Sequence, residues 1–128
     1  MSRRRVVITG VGAVSSLGLD LPTTWGKLLE GQSGAGLITK FDTEKHTTKF
    51  ACEVWDWNSV DHFPKTESKR LELFTMYYLV AASEAMKSSG LDMDGEDRTR
   101  AGCILGTGIG GIQEIEASKD IQRQRGAN

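Results

Sequence analysis

The sequence predicts an α/β fold in which a mainly parallel sheet is covered by helices. Two observations carry this prediction. Strand-like and helix-like segments alternate along the chain in the order β-α-β-α-β-α, and the strand-like runs are short and apolar. This alternation is typical of parallel sheets, because consecutive parallel strands need a crossover that is usually a helix. At 128 residues, the chain has the length of one domain, 1–128, without a linker or repeat.

Three segments carry the strand prediction. Residues 4–9 (RRVVIT) form a β-branched run that Gly10 closes, and residues 47–57 alternate loosely between polar and apolar. Residues 100–106 (RAGCILG) form an apolar run before a glycine-rich loop. Short apolar runs of this kind are typical of buried strands in a parallel sheet.

Three other segments predict helices. A short helix is expected over residues 21–31, with Asp20 as its N-cap. A long helix is expected from Thr66 to Gly90, and its nearly continuous apolar surface predicts that it is buried. A third helix is expected over residues 112–123.

Composition excludes several classes of protein. The net charge of −1 and the pI near 6.1 argue against nucleic-acid binding, which usually needs a basic surface. No apolar run reaches the roughly 18 residues of a membrane helix, and the first residues do not resemble a secretion signal. We therefore expect a cytoplasmic protein whose Cys52 and Cys103 are buried, unpaired thiols.

The glycine-rich loop GTGIGG raises the question of nucleotide binding. Gly106, Gly108 and Gly111 match the G-x-G-x-x-G spacing of dinucleotide-binding loops. That motif also needs an acidic residue about 20 positions further on, which would fall beyond Asn128. A nucleotide-binding α/β domain is therefore a remote alternative, and close backbone packing explains the glycines better.

Several blocks of sequence occur in one order and together resemble a known family. They are RRVVITGVGAVSSLG, TWGKLLEGQSGAGLITKFDTE, TKFACEV, KRLELFTMYYLVAASEAMKSSGL and GCILGTGIGG. This series resembles the N-terminal part of the β-ketoacyl-acyl-carrier-protein synthases, of the elongating synthase II type, over essentially the whole chain. The resemblance implies a thiolase-like fold, of which this chain is the N-terminal part of the first α/β half and incomplete as given. It also implies a homodimer.

The resemblance implies an acyltransferase of fatty acid biosynthesis that performs a decarboxylative Claisen condensation. Acyl groups are carried on the phosphopantetheine arm of acyl carrier protein, and no separate cofactor is implied. The family's nucleophilic cysteine lies in a T-A-C-[AST]-[ST] motif, followed later by two catalytic histidines and a lysine. The sequence has no match to these residues, and His46 and His62 are interpreted as surface residues. We therefore expect no catalytic residue and no metal site in this chain, which alone should be inactive.

What the resemblance does assign is the periphery of the substrate site. Gly108 and Ile109 match the loop that lines the family's acyl pocket, where the isoleucine limits how deep an acyl chain can enter. Lys65, Lys69 and Arg70 match the region that contacts acyl carrier protein, an acidic partner. Without the resemblance, these three cations would be interpreted as an ordinary solvated start of the long helix.

Two hypotheses follow for the whole protein. In one, the chain is the N-terminal piece of a condensing enzyme. In the other, it is a non-catalytic module that binds carrier protein or dimerises. On the first hypothesis we expect residues 1–128 alone to be aggregated or poorly ordered, with apolar side chains of the long helix exposed, including Phe74, Tyr78 and Leu79.

Overall fold

The computed structural model describes residues 3–126. Within them lie four α-helices, two single-turn 3-10 helices and one two-stranded sheet. In chain order the α-helices and strands are α1 (Leu21–Leu29), β1 (Gly36–Leu37), β2 (Phe50–Ala51), α2 (Lys65–Ser68), α3 (Leu73–Ser89) and α4 (Ile112–Arg125). The 3-10 helices lie at Ser59–Asp61 and Arg98–Arg100. In the described part of the chain, each helix is too short or too polar to span a bilayer.

The first predicted helix is confirmed together with its cap. The Asp20 carboxylate accepts the backbone N–H of Thr23 at 2.7 Å, which satisfies one of the donors that every helix leaves unpaired at its start. This backbone hydrogen bond is the main reason that the pKa of Asp20 lies below its ordinary value. The chain leaves the helix at Gly31, whose φ of 70° is in the left-handed region.

The long helix predicted from Thr66 to Gly90 is wrong at its beginning and correct at its end. The chain instead forms the one-turn helix α2, a turn, and then α3. The break falls at Glu72, which has an extended backbone (φ −73°, ψ 154°) and so cannot continue the helical hydrogen bonds. At the other end, Gly90 takes a left-handed conformation with a φ of 64°, as expected for the residue that terminates a helix.

The strands predicted over residues 4–9 and 100–106 are not formed in the described structure. Both segments lack regular strand structure, and Val6 and Ile104 are 93% and 97% exposed. The physical reason is that a parallel strand exists only beside a neighbour that receives its hydrogen bonds, and residues 3–126 provide none. Within the predicted strand 47–57 only Phe50–Ala51 pairs, and it pairs with β1 antiparallel, not parallel.

The segment before α1 folds along α3. Gly10 and Gly12 lie directly against the helix, where an added Cβ atom would collide with the carbonyl oxygens of Ala85 and Ala81. The Glu84 carboxylate, on the same helix, accepts backbone N–H groups from Ala13 and Leu21, each at 2.9 Å. These contacts position α1 relative to α3.

The prediction that the long helix is buried is wrong for the described structure. Met76 is the only hydrophobic side chain within residues 3–126 that is buried. Leu79 on the same helix is exposed, as expected for these residues alone, whereas Phe74 and Tyr78 are half-buried. The reason is that mainly loop segments pack on α3 in the described chain, and loops cover only part of its apolar surface.

A buried carboxylate just after β2 binds the chain just after β1. Glu53 is only 9% exposed, and it accepts hydrogen bonds from the Thr39 hydroxyl at 2.6 Å and from the Thr39 backbone N–H at 3.1 Å. The hydroxyl is the main reason that the pKa of Glu53 lies below its ordinary value. A lowered carboxyl pKa means that the contribution of Glu53 to stability is present at neutral pH and is lost as the pH falls through that pKa.

Replacement of Thr39 by valine is therefore expected to raise the pKa of Glu53, because the valine cannot donate a hydrogen bond to the carboxylate. The side-chain carboxyl ¹³C shift of Glu53, followed by NMR from neutral to acidic pH, measures this change. Thr39→Ser is the matched control, since it keeps the hydroxyl and should keep the low pKa. An unchanged titration in Thr39→Val would show that the hydroxyl does not hold the carboxylate.

Candidate functional site

A groove of about 630 Å³ lies between the turn that joins α2 to α3 and the GTGIGG loop before α4. It contains three of the five site residues predicted from the sequence, Lys69, Arg70 and Ile109. The other two, Lys65 and Gly108, do not line it. The remaining lining residues are Leu71, Glu72, Leu73, Phe74, Tyr77, Thr107, Gly110, Gly111, Ile112, Gln113 and Glu114.

The GTGIGG loop ends at the first turn of α4. Gly111 has a φ of 77° and lies beside Glu72, so that a Cβ at this glycine would be 2.8 Å from the Glu72 carboxylate. A carboxylate near the start of a helix is stabilised by the partial positive charge there. The same carboxylate would repel a phosphate group, so this arrangement disfavours the nucleotide-binding alternative.

An aromatic cluster supports one wall of the groove. The Tyr77 ring packs edge-on against Trp57, with ring centroids 4.7 Å apart, and Trp57 stacks on His62 at 4.6 Å. Burial raises the pKa of Tyr77 above its ordinary value, and the neutral hydroxyl can donate or accept a hydrogen bond. The buried indole N–H of Trp57 has no hydrogen-bond acceptor within the described residues.

The three predicted cations are exposed and available to a partner. The described residues contain one ion pair, between Arg98 and Asp94, so Lys65, Lys69 and Arg70 have no carboxylate partner among them. The prediction that they lie at the start of a long helix is wrong. They lie in and directly after the one-turn helix α2, whose C-cap is Lys69.

The charges of the groove itself are balanced. Lys69 and Arg70 are matched in number by the carboxylates of Glu72 and Glu114. These four side chains therefore give the groove no net charge.

The prediction that Cys52 and Cys103 are buried is wrong, since both thiols are exposed. Cys103 lies in the apolar segment that finds no partner strand, and Cys52 directly follows the edge of the two-stranded sheet. Neither cysteine lines the groove. His46 and His62 are exposed, as predicted, and residues 3–126 contain no group of three or more metal-ligating side chains.

Sequence reasoning missed four residues that shape the groove, namely Glu72, Phe74, Tyr77 and Glu114. No local pattern indicates them, because the groove joins two segments that are more than 30 residues apart in the sequence. For Phe74 and Tyr77, the sequence signal is the apolar character of α3, which predicts a buried helix.

Comparison with known proteins relates the chain to one family. The model of the "Beta-ketoacyl synthase, N-terminal domain" matches residues 3–128. The 3-oxoacyl-[acyl-carrier-protein] synthase 2 of Staphylococcus aureus (strain N315) is 43% identical over 113 residues, which cover 88% of this chain and 27% of that protein. The enzyme of the same name from Vibrio harveyi is 38% identical over 126 residues, which cover 98% of this chain and 30% of that protein.

A solved structure shows the same relation. The ishigamide ketosynthase/chain length factor superposes with a TM-score of 0.61 at 38% sequence identity, over 73% of this chain and 23% of that chain. The predicted fold class is thereby confirmed at the coarse level of a ketosynthase fold. The chain spans less than a third of the length of the relatives that it matches.

Proposed function

The chain belongs to the β-ketoacyl synthase family, and we propose that it forms the outer part of the substrate site of a 3-oxoacyl-[acyl-carrier-protein] synthase. The complete enzyme would elongate acyl chains in fatty acid biosynthesis. The observation that carries this proposal is the groove in which Lys69, Arg70 and Ile109 meet, although they come from segments far apart in the sequence. The proposal includes a homodimer in the cytoplasm, the parallel sheet of the thiolase-like fold, and no cofactor other than the carrier's phosphopantetheine arm.

The proposed reaction proceeds in two steps. A cysteine thiolate attacks the carbonyl carbon of the acyl thioester, and the phosphopantetheine sulfur leaves as a thiolate, which then takes up a proton from solvent. Malonyl-carrier protein then loses carbon dioxide, and the released electron pair forms a carbon–carbon bond to the acyl carbonyl while the cysteine thiolate leaves. We place this cysteine outside residues 1–128, because Cys52 and Cys103 lie outside the family's motif and outside the groove.

The basic residues would guide the carrier protein to the groove. Lys65, Lys69 and Arg70 are exposed, lack carboxylate partners within the described residues, and belong to one short stretch of chain. Charges arranged in this way attract an acidic partner at a distance and mainly increase the rate of association. Docking there would bring the phosphopantetheine arm beside the groove.

Ile109 would limit how far the acyl chain enters. Its side chain is 73% exposed and lines the groove, while the neighbouring Gly108 has open space at its Cβ position. An acyl chain that reaches this loop would therefore bury the isoleucine against its methylene groups, which is favourable at about 25 cal/mol per Å² of apolar surface.

Reversal of the two groove cations tests the carrier-binding part of the proposal. The double variant Lys69→Glu and Arg70→Glu, in the natural gene product, is expected to weaken the binding of acyl carrier protein by about tenfold at low salt, because two attractive charges become repulsive. The loss should shrink as salt is added, since exposed charges are screened. Titration of the binding at two ionic strengths measures both effects.

The matched control is the double variant Lys45→Glu and Arg123→Glu, which also reverses one lysine and one arginine, both exposed and neither lining the groove. This control should bind the carrier protein almost as tightly as the wild type. Equal affinities of the groove variant and the control at low salt would show that the two groove cations are only solvated side chains.

A further inference from the structure

One face of α3 holds the GTGIGG loop at two points. The Phe74 ring lies beneath Gly110, so closely that a Cβ there would be 2.7 Å from a ring carbon. The Tyr78 hydroxyl donates a hydrogen bond to the carbonyl oxygen of Gly106. Residues four positions apart lie on the same side of a helix, so both anchors belong to one surface of α3.

The part of the loop between these two anchors has little other support. The Cβ positions of Gly106 and Gly108 face open space, and Ile109 is largely exposed. Glycine restricts the backbone less than any other residue does, so a loop with this composition takes its position from the contacts that hold it. The position of Ile109 therefore depends on the two α3 side chains.

We propose that Tyr78 and Phe74 are positioning residues, which set how far Ile109 projects into the groove and so the longest acyl chain that the groove accepts. This inference rests on the proposed function. Phe74 also lines the groove and could touch an acyl chain directly. Tyr78 does not line the groove, so its effect on the acyl chain would pass through the loop alone.

The test uses Tyr78→Phe in the natural gene product, with palmitoyl- and octanoyl-carrier protein as substrates. Loss of the hydroxyl releases Gly106 and lets Ile109 move away from the groove. The ratio of kcat/KM for the long substrate to that for the short one should rise about threefold to tenfold, as expected for the loss of one hydrogen bond. A general loss of stability would lower both values and leave this ratio unchanged. Phe74→Leu, which removes the ring beneath Gly110, should shift the ratio in the same direction.

A mutant cycle with Ile109→Gly shows whether Tyr78 acts through the isoleucine. Once the isoleucine side chain is absent, Tyr78→Phe should not change the ratio further, because interacting residues do not have additive effects. If the wild type is active and Tyr78→Phe leaves the ratio of kcat/KM values unchanged, this inference is wrong and the proposed function stands. The same holds if Tyr78→Phe changes the ratio equally with and without the Ile109 side chain. A wild type that condenses neither substrate overturns the proposed function, and this inference with it.

Discussion

Replacement of Gly12 by alanine is expected to destabilise the protein by about 3 kcal/mol, at the upper end of the usual cost of forcing extra volume into a packed site. The added methyl group would overlap the carbonyl oxygen of Ala81 and lie 2.9 Å from the backbone nitrogen of Ala85. Both atoms belong to the backbone of α3, which cannot move aside as a flexible side chain could. The segment before α1 would have to detach from the helix.

Gly26 provides a matched control for this change. It lies inside α1, and its Cβ position has no neighbouring atom within 4 Å. Gly26→Ala should therefore stabilise the protein by about 0.5–1 kcal/mol, since alanine favours the helical state more than glycine does. Chemical denaturation of the natural gene product compares the two variants, and a similar midpoint for both would contradict the close packing at Gly12.

The helices were predictable where their signals are local. The cap at Asp20 and the left-handed glycine at Gly90 act within a few residues, so the sequence predicts both correctly. The break at Glu72 was not predictable in this way. It places the Glu72 carboxylate beside Gly111, which is almost 40 residues away in the sequence, and no local propensity indicates that contact.

The strand predictions failed because strands depend on partners. Residues 4–9 and 100–106 have the composition of buried strands, yet their hydrogen bonds need neighbours that residues 3–126 do not supply. The same dependence explains why Cys103, predicted to be buried, is exposed. Whether these segments are buried depends on the chain that packs against them, so their own residues do not predict it.

The candidate site was predictable only in part, and only from the resemblance. The residues Lys69, Arg70 and Ile109 were identified by their positions in matching blocks of sequence. Only the tertiary structure shows that these residues line one groove. It also shows that Phe74 and Tyr78 support the loop.

The proposed function also predicts a large chemical effect. Incubation of the natural gene product with acyl-carrier protein should produce an acyl-enzyme, because condensing chemistry requires a covalent thioester before the malonyl unit attacks. Residues 1–128 alone should form no such adduct. The variant Cys52→Ser with Cys103→Ser should be acylated as fast as the wild type, since neither thiol lies in the groove or in the family's nucleophile motif.

Peptide mapping of this acyl-enzyme by mass spectrometry identifies the cysteine that carries the acyl group. We expect an acyl group on a cysteine outside residues 1–128, and unmodified Cys52 and Cys103. An acyl group on Cys52 or Cys103 would contradict this prediction, because the nucleophile would then lie in the chain to which we assign only the periphery of the site. A protein that binds the carrier but forms no adduct would contradict it as well, and would instead be a non-catalytic binding module.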